Sequence, residues 1–151
     1  MLPKIHIVNE IRKELNVQQR SIRWLADETG CDRSKLSRQF NRSVRTDLLY
    51  RISVALGKDF FAFYSQSLSA GEKPFLMQPA IHTGDAIRKR LNAQKRSITW
   101  LADETDCDRS KLSRQLNRPH ICTDLLHRIS VALGVDFFAL YSQALSAEKR
   151  S

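Results

Sequence analysis

The chain has 151 residues and a formal net charge of +9, from 25 Lys and Arg against 16 Asp and Glu. That surplus favours a polyanionic partner, such as nucleic acid or an acidic membrane surface. Three cysteines without a Cys-x-x-Cys pair argue against a disulfide framework and a zinc knuckle, and no stretch nears the roughly 18 apolar residues that cross a bilayer, so we expect a cytoplasmic protein.

An internal repeat divides the sequence into two similar units. A shift of 76 residues superposes 5–45 on 81–121, and after one inserted residue a shift of 77 superposes 46–70 on 123–147. Of these 66 paired positions, 49 are identical. A unit of this length buries about 60% of its unfolded surface, which suits a small helical domain. The repeat predicts one domain at 1–70, a linker at 71–80 and a second domain at 81–151.

Each unit has the pattern of five helices. Glycine and proline are scarce inside the repeats, and apolar residues recur three and four positions apart, as at Leu49, Ile52 and Leu56. In the first unit the pattern predicts helices at about 8–16, 21–29, 33–41, 47–56 and 60–68. Residues that favour the N-cap precede helical runs in both units: Ser21, Asp32, Thr46, Asp59, Ser97, Asp108, Thr123 and Asp136. Gly57 and Gly134 follow the fourth helices, where a left-handed residue ends a helix at little cost.

A short turn at 29–32 joins the second and third helices of the first unit. Ala26 is small enough to let two short helices cross closely, and Leu36 is expected to fill the space between them. The second unit repeats this arrangement with Ala102 and Leu112. There Asp106 replaces the turn glycine, and Asp tolerates the left-handed conformation better than most residues.

The pattern Ser-Ile-x-Trp-Leu-Ala-Asp-Glu-Thr-x-Cys-Asp-Arg-Ser-Lys-Leu-Ser-Arg-Gln at 21–39 and 97–115 resembles the phage repressor-like helix-turn-helix family, the Cro/CI or XRE group. The five-helix order agrees with that family, and the resemblance covers each repeat. It implies an all-α fold of two five-helix lambda-repressor-like helix-turn-helix domains in one chain. It also implies that the third helix lies in the major groove of DNA, with its first residues toward the base edges.

The resemblance places the predicted DNA contacts on and beside this third helix. Side chains of its outer face are expected to meet bases, an arginine pairing with guanine, and those that follow it to meet phosphates. These residues are Arg33, Ser34, Lys35, Ser37, Arg38, Asn41, Arg42 and Arg45, and in the second unit Arg109, Ser110, Lys111, Ser113, Arg114, Asn117 and Arg118. Where the family has a phosphate-binding Gln, this chain has Ile22 and Ile98. We expect the preceding residues to serve instead: Arg20, Ser21, Arg96 and Ser97. A merely solvated cationic face is the alternative, which the lack of any acid between positions 33 and 45 weakens.

The fifth helix of each unit is rich in aromatic residues. Their helical spacing predicts core packing rather than base stacking, and those that do not fit inside one unit predict a contact between the two halves or between two chains. The residues are Phe60, Phe61, Tyr64, Phe137, Phe138 and Tyr141. In the linker, prolines interrupt any helix, and we expect Phe75, Leu76 and Met77 to hold it against one domain.

The octet Asp-Arg-Ser-Lys-Leu-Ser-Arg-Gln recurs unchanged at 32–39 and 108–115, so both units are expected to read the same half-site. One chain then acts as a covalent pseudo-dimer on an operator of two half-sites, in inverted or direct order. We expect a sequence-specific regulator of transcription that binds double-stranded DNA, most simply a repressor, associated with the nucleoid.

No catalytic site, cofactor or metal site is predicted. The sequence has no Gly-rich phosphate loop and no nucleophile elbow, and its four histidines lack metal-ligand spacing. The alternative function is a protein-interaction module such as an antitoxin-like protein, with DNA contact secondary. Structured RNA is a third candidate partner, although nothing resembles the aromatic motifs that stack single-stranded bases.

Overall fold

The computed structural model describes residues 6–68, 72–74 and 81–150. These residues form ten α-helices, and the extended pairings among them are two isolated β-bridges. The fold of the described residues is therefore all-α, as the apolar periodicity predicts. The helices are α1 (Ile7–Val17), α2 (Ile22–Thr29), α3 (Arg33–Asn41), α4 (Thr46–Leu56), α5 (Phe61–Ser67), α6 (Thr83–Ala93), α7 (Ile98–Glu104), α8 (Arg109–Leu116), α9 (Thr123–Leu133) and α10 (Phe138–Arg150).

Most of the predicted helix caps are confirmed. In the first repeat every helix begins and ends within one residue of its predicted bounds. Ser21, Asp32 and Asp59 each accept a hydrogen bond from a main-chain amide of the first helical turn, at 3.0, 3.3 and 2.9 Å. Ser97 and Asp108 do the same in the second repeat, at 3.0 and 3.3 Å. These short-range bonds satisfy amides that have no partner inside the helix.

Three of the predicted caps are wrong. α4 and α9 begin at Thr46 and Thr123 themselves, both buried, and the residues before them make no side-chain cap. The Thr46 hydroxyl instead accepts a hydrogen bond from the Ile121 amide of the other repeat, at 3.2 Å. Asp136 is buried, and its carboxylate has no hydrogen-bond partner among the described residues.

The turn between α2 and α3 has the expected conformation. Gly30 is left-handed with φ 65°, and Asp106, which replaces it in the second repeat, has φ 53°. Ala26 and Leu36 are both buried, where the small side chain of one lets the other approach. The glycines that end α4 and α9 are left-handed as well, with φ 68° and 67°.

The two repeats pack against each other through α5 and α10. Phe61 stacks on Tyr141 with 4.5 Å between ring centroids, and Tyr64 stacks on Phe138 with 4.4 Å. Because Phe61 is equivalent to Phe138, and Tyr64 to Tyr141, each contact is the counterpart of the other. A contact that recurs with its roles exchanged indicates an approximate two-fold axis between the repeats.

A second reciprocal contact joins the loops that follow α3 and α8. The main-chain amides of Thr46 and Thr123 each donate to the carbonyl two residues before the other, at 2.8 and 2.9 Å. Between these bonds, Arg45 and Cys122 form an isolated antiparallel bridge. Arg45 and Cys122 lie opposite each other on the approximate two-fold axis and are therefore equivalent in the structure. The sequence superposition instead makes Arg45 equivalent to Ile121. The inserted residue of the second repeat lies earlier in this loop than the identity pattern suggested.

Tyr141 connects several elements at this contact. Its hydroxyl donates to Thr46 Oγ1 at 2.8 Å, shares a hydrogen bond with Thr83 Oγ1, and lies 3.1 Å from His120 Nδ1. Burial raises the pKa of Tyr141 to about 12, so the hydroxyl keeps its proton at neutral pH. The equivalent Tyr64 hydroxyl also faces a threonine, but without ordinary hydrogen-bond geometry.

Part of the linker packs against the second repeat. Glu72 exchanges main-chain hydrogen bonds with the loop between α9 and α10, at 3.0 and 2.7 Å. Its carboxylate accepts two further bonds from the Arg90 guanidinium of α6, at 2.7 and 2.8 Å. Phe75, Leu76 and Met77, which the sequence predicts to hold the linker down, lie outside the described residues.

Candidate nucleic-acid interface

α3 and α8 present equivalent outer faces. On the inner face, Leu36 and Phe40 anchor α3 in the core, and Leu112 and Leu116 anchor α8. The predicted base-contacting side chains lie on the other side and are exposed, apart from the half-buried Ser113: Arg33, Ser34, Lys35, Ser37, Arg38, Arg109, Ser110, Lys111, Ser113 and Arg114. The burial of one apolar stripe thus fixes which side chains face outward.

The cations on this face are available to bind an anion. In the described part of the chain, Arg33, Lys35 and Arg38 take part in no ion pair. The acid that precedes them, Asp32, is occupied as the helix cap and also accepts a hydrogen bond from the Ser34 hydroxyl at 3.0 Å. Among the described residues, no carboxylate therefore pairs with the cations of this face.

The structure separates Arg45 from the other predicted phosphate contacts. Asn41, the last residue of α3, and Arg42, which follows it, are exposed. Arg45 is half-buried at the contact between the repeats, where its Nη2 donates to the His120 carbonyl at 2.8 Å. Its Nε also lies 3.5 Å from a carboxylate oxygen of Asp47. Arg45 therefore joins the two repeats and is not one of the freely exposed cations.

The residues after α8 differ from those after α3. Asn117 is exposed, but its Oδ1 accepts a hydrogen bond from Arg88 Nη2 of α6 at 2.9 Å. Arg118 is exposed as predicted. The two repeats thus carry the same outer face on helices whose ends have different surroundings.

An arginine lies over a tryptophan ring at the start of α2 and of α7. The Arg20 guanidinium lies 4.3 Å from the Trp24 ring centroid, and that of Arg96 lies 4.4 Å from the Trp100 centroid. Both indole rings are half-buried against the core, as their spacing predicts, while both arginines are exposed. A cation on an aromatic face contributes about 0.5–1 kcal/mol at such sites. The stack holds a guanidinium beside the cap residue Ser21 and its counterpart, where the helix N-terminus also favours an anion.

Sequence reasoning missed these stacks, although a signal for them was present. An arginine precedes a tryptophan by four residues in both repeats, at 20–24 and 96–100. Each arginine precedes the cap residue of a helix, and a residue at that position often packs against one in the first turn. The helical spacing of the two tryptophans predicts core residues, and their burial accounts for that spacing without any partner.

Two histidines of the second repeat lie at the contact between the repeats. His127 Nε2 is 2.8 Å from Ser67 Oγ, and its ring packs edge-on against Tyr64. Burial lowers the pKa of His127, against a smaller opposing effect of Asp124 on the same helix. Burial also lowers the pKa of His120, partly offset by the nearby Asp47 carboxylate. The neutral imidazoles are thus favoured at this contact.

Comparison with models of protein families, with curated proteins and with solved structures finds no match for this chain. Across the described residues, no helix is both long and apolar enough to cross a membrane, and no group of His, Cys, Asp and Glu could hold a metal ion. The exposed cations of α3 and α8 and the two arginine–tryptophan stacks remain as the features that point to a function.

Proposed function

We propose that the chain is a sequence-specific regulator of transcription that binds double-stranded DNA, most simply as a repressor. Its repeats, 1–70 and 81–151 with a linker at 71–80, are then two five-helix domains of the phage repressor-like helix-turn-helix family, acting as a covalent pseudo-dimer. α3 and α8 enter the major groove with Arg33 and Arg109 toward the base edges. One observation carries the proposal: the same octet, with its three cations exposed, recurs on two helices related by an approximate two-fold axis.

The two-fold relation favours one arrangement of the half-sites. The reciprocal contacts of α5 with α10, and of the loops after α3 and α8, exchange the roles of equivalent residues. Two reading helices related in this way fit two half-sites that are themselves related by a two-fold axis. We therefore assign the operator as an inverted repeat. To bind a direct repeat with both helices, one repeat of the protein would have to reverse its orientation relative to the other.

From the direction of the reading helices we assign each arginine to a position in the half-site. α3 ends at Asn41, and the chain then reaches the bridge between the repeats at Arg45. Arg33 and Arg38 are separated by about 7.5 Å along the helix axis, at 1.5 Å per residue. That distance spans about two base pairs at 3.4 Å each. Arg38 is therefore assigned to base pairs nearer the operator centre, and Arg33 to the outer ones.

Four exposed arginines beside the reading helices are assigned to phosphates. Arg20 and Arg96 lie over their tryptophan rings, and Arg42 and Arg118 follow the ends of α3 and α8. Each neutralised phosphate steepens the fall of log affinity with log salt concentration by about 0.9. These four contacts together should contribute about 3.6 to that slope.

Selection of bound sequences from random duplex DNA, with the full chain, tests the proposal. An inverted repeat of two like half-sites is the expected product, and Arg33→Ala and Arg38→Ala should relax its outer and inner positions respectively. Lys13→Ala on α1 is a control of equal charge change, and it should leave the selected sequence unaltered. Binding without sequence preference would contradict the proposal and would favour an architectural role. A sequence that stays unchanged in both arginine variants would rule out α3 as the reading helix.

A further inference from the structure

The first helix of the second repeat supports its reading helix directly. Gly84 of α6 is buried, and a Cβ at this position would overlap the carbonyl group of Leu116 at the end of α8. The Thr83 amide donates to a carbonyl just beyond α8, at 2.8 Å. Arg88 donates to Asn117 Oδ1 at 2.9 Å. Close packing and two hydrogen bonds therefore hold the end of α8 to α6.

Among the described residues of the first repeat, α1 makes neither this close packing nor these two hydrogen bonds with the end of α3. Val8 occupies the position of Gly84, and its side chain leaves no room for an equally close approach. A cavity of about 180 Å³ lies between the start of α1, the end of α3 with the loop that follows it, and the start of α9, with Val8 and Phe40 among its lining residues. Arg12, the equivalent of Arg88, lies over the Phe40 ring instead, 5.6 Å from its centroid. The side chain of Asn41 takes part in no hydrogen bond within the described part of the chain.

We infer that the two halves read their half-sites with unequal stringency, α8 being the strict reader and α3 the tolerant one. The inference rests on the proposed function. A reading helix held at its end cannot shift to recover contacts at a wrong base pair. The mismatch therefore lowers the binding affinity by its full amount. A helix whose end faces a cavity can move slightly and recover part of the loss, because supporting contacts set how well a site keeps its geometry. The preferred partner is an inverted repeat in which one half tolerates base changes and the other does not.

Binding to a symmetric operator turns this inequality into a measurable deviation from additivity. The chain can bind such a duplex in either direction, so a single altered half-site can always be placed against α3. The same alteration in both half-sites must also be met by α8. For two equal readers the two factors of lost affinity multiply, since separated positions contribute independently to the binding free energy. For two unequal readers, the factor by which the double alteration lowers affinity is larger than the square of the factor for the single alteration.

Dissociation constants for three duplexes test the inference with the full chain. The duplexes are the selected inverted repeat, the same repeat with one invariant base pair changed in one half, and the repeat with that change in both halves. If the single change weakens binding about 3-fold, equal readers give about 9-fold for the double change. A mismatch met by a fixed reader costs about 5- to 150-fold. Because the single change also removes one of the two equivalent binding directions, we expect about 11- to 230-fold for the double change. If the loss of affinity for the double change equalled the square of the loss for the single change, the inference would be overturned and the proposed function would stand. The absence of any mismatch effect would instead overturn the proposed function.

A pair of matched variants connects the deviation to α6. Arg88→Met removes the hydrogen bond to Asn117 and should bring the double factor toward the square of the single one. Arg12→Met, at the equivalent position, should leave the deviation unchanged. Either arginine could add the same affinity for every duplex. Each variant is therefore judged by the ratio of its double-change factor to the square of its single-change factor, and not by its affinity. If the deviation from additivity changed equally in both variants, it could not be assigned to the contact between α6 and α8.

Hydrogen exchange on the free protein tests the same inference without DNA. Main-chain amides at the end of α3, at Phe40 and Asn41, should exchange faster than those of Leu116 and Asn117 at the end of α8. Local opening is easier where few contacts hold a helix end. Equal exchange rates at the two ends would overturn the inference whatever the DNA affinity is.

Discussion

Replacement of Tyr141 by phenylalanine tests the contact that relates the two repeats. Tyr141→Phe removes a single oxygen atom and keeps the ring that stacks on Phe61. What is lost is the hydrogen bond to Thr46 at 2.8 Å, the one shared with Thr83, and the one to His120 at 3.1 Å. The variant therefore separates polar from aromatic contributions to this contact.

The expected loss follows from the partners that remain. Each hydrogen bond contributes about 0.5–1.5 kcal/mol net to stability. Thr46 keeps the Ile121 amide as a donor, and the half-buried His120 can regain water, so only Thr83 is left unsatisfied and fully buried. We expect the free energy of unfolding to fall by about 1.5–3 kcal/mol. In a chain of this size that corresponds to a melting temperature lower by about 4–9 °C.

Tyr64→Phe is the matched control, because Tyr64 is the equivalent residue and its hydroxyl lacks ordinary hydrogen-bond geometry. Its free energy of unfolding should change by no more than about 0.5 kcal/mol. Urea denaturation followed by circular dichroism measures both variants. Equal losses, or a larger loss in Tyr64→Phe, would refute the reasoning.

Three further perturbations have expected outcomes. Gly84→Ala should lower the free energy of unfolding, measured in urea, by about 1–3 kcal/mol, because the added methyl group would overlap the Leu116 carbonyl. Burial lowers the folded-state pKa of His120 and His127, so the unfolded chain binds more protons and stability should fall as the pH drops from about 6.5 through those folded-state values. A urea midpoint that stays flat as the pH is lowered across that range would contradict this. Arg20→Met should weaken binding to every duplex alike and reduce the salt slope by about 0.9, measured by fluorescence anisotropy at several salt concentrations.

The helices and most of their caps could be predicted because they depend on neighbours in the sequence. Ser21 and Asp32 bond to amides two or three residues away, and the left-handed Gly30 belongs to the same turn. The outer face of α3 follows from the same short-range regularity, since Leu36 and Phe40 mark the buried side. Local pattern and final structure agree wherever the interacting groups lie within about one helical turn.

The parts that could not be predicted depend on partners distant in the sequence. Threonine is a favoured N-cap residue, yet the Thr46 hydroxyl forms hydrogen bonds with residues 75 and 95 positions away in the sequence. Arg45 fits a phosphate contact by charge, but its guanidinium bonds to a carbonyl 75 positions away. Gly84 carries no local signal at all, because only its distance from α8 explains why a side chain is excluded there.

The most direct test of the account compares the affinity of the full chain for one pair of half-sites placed either as an inverted or as a direct repeat, at the same spacing and ionic strength. Two reading helices fixed in a two-fold arrangement should both engage the inverted repeat, while only one should engage the direct repeat. The inverted repeat should therefore bind at least about 10-fold more tightly. Equal affinity for the two arrangements, or for a duplex of unrelated sequence, would contradict the account.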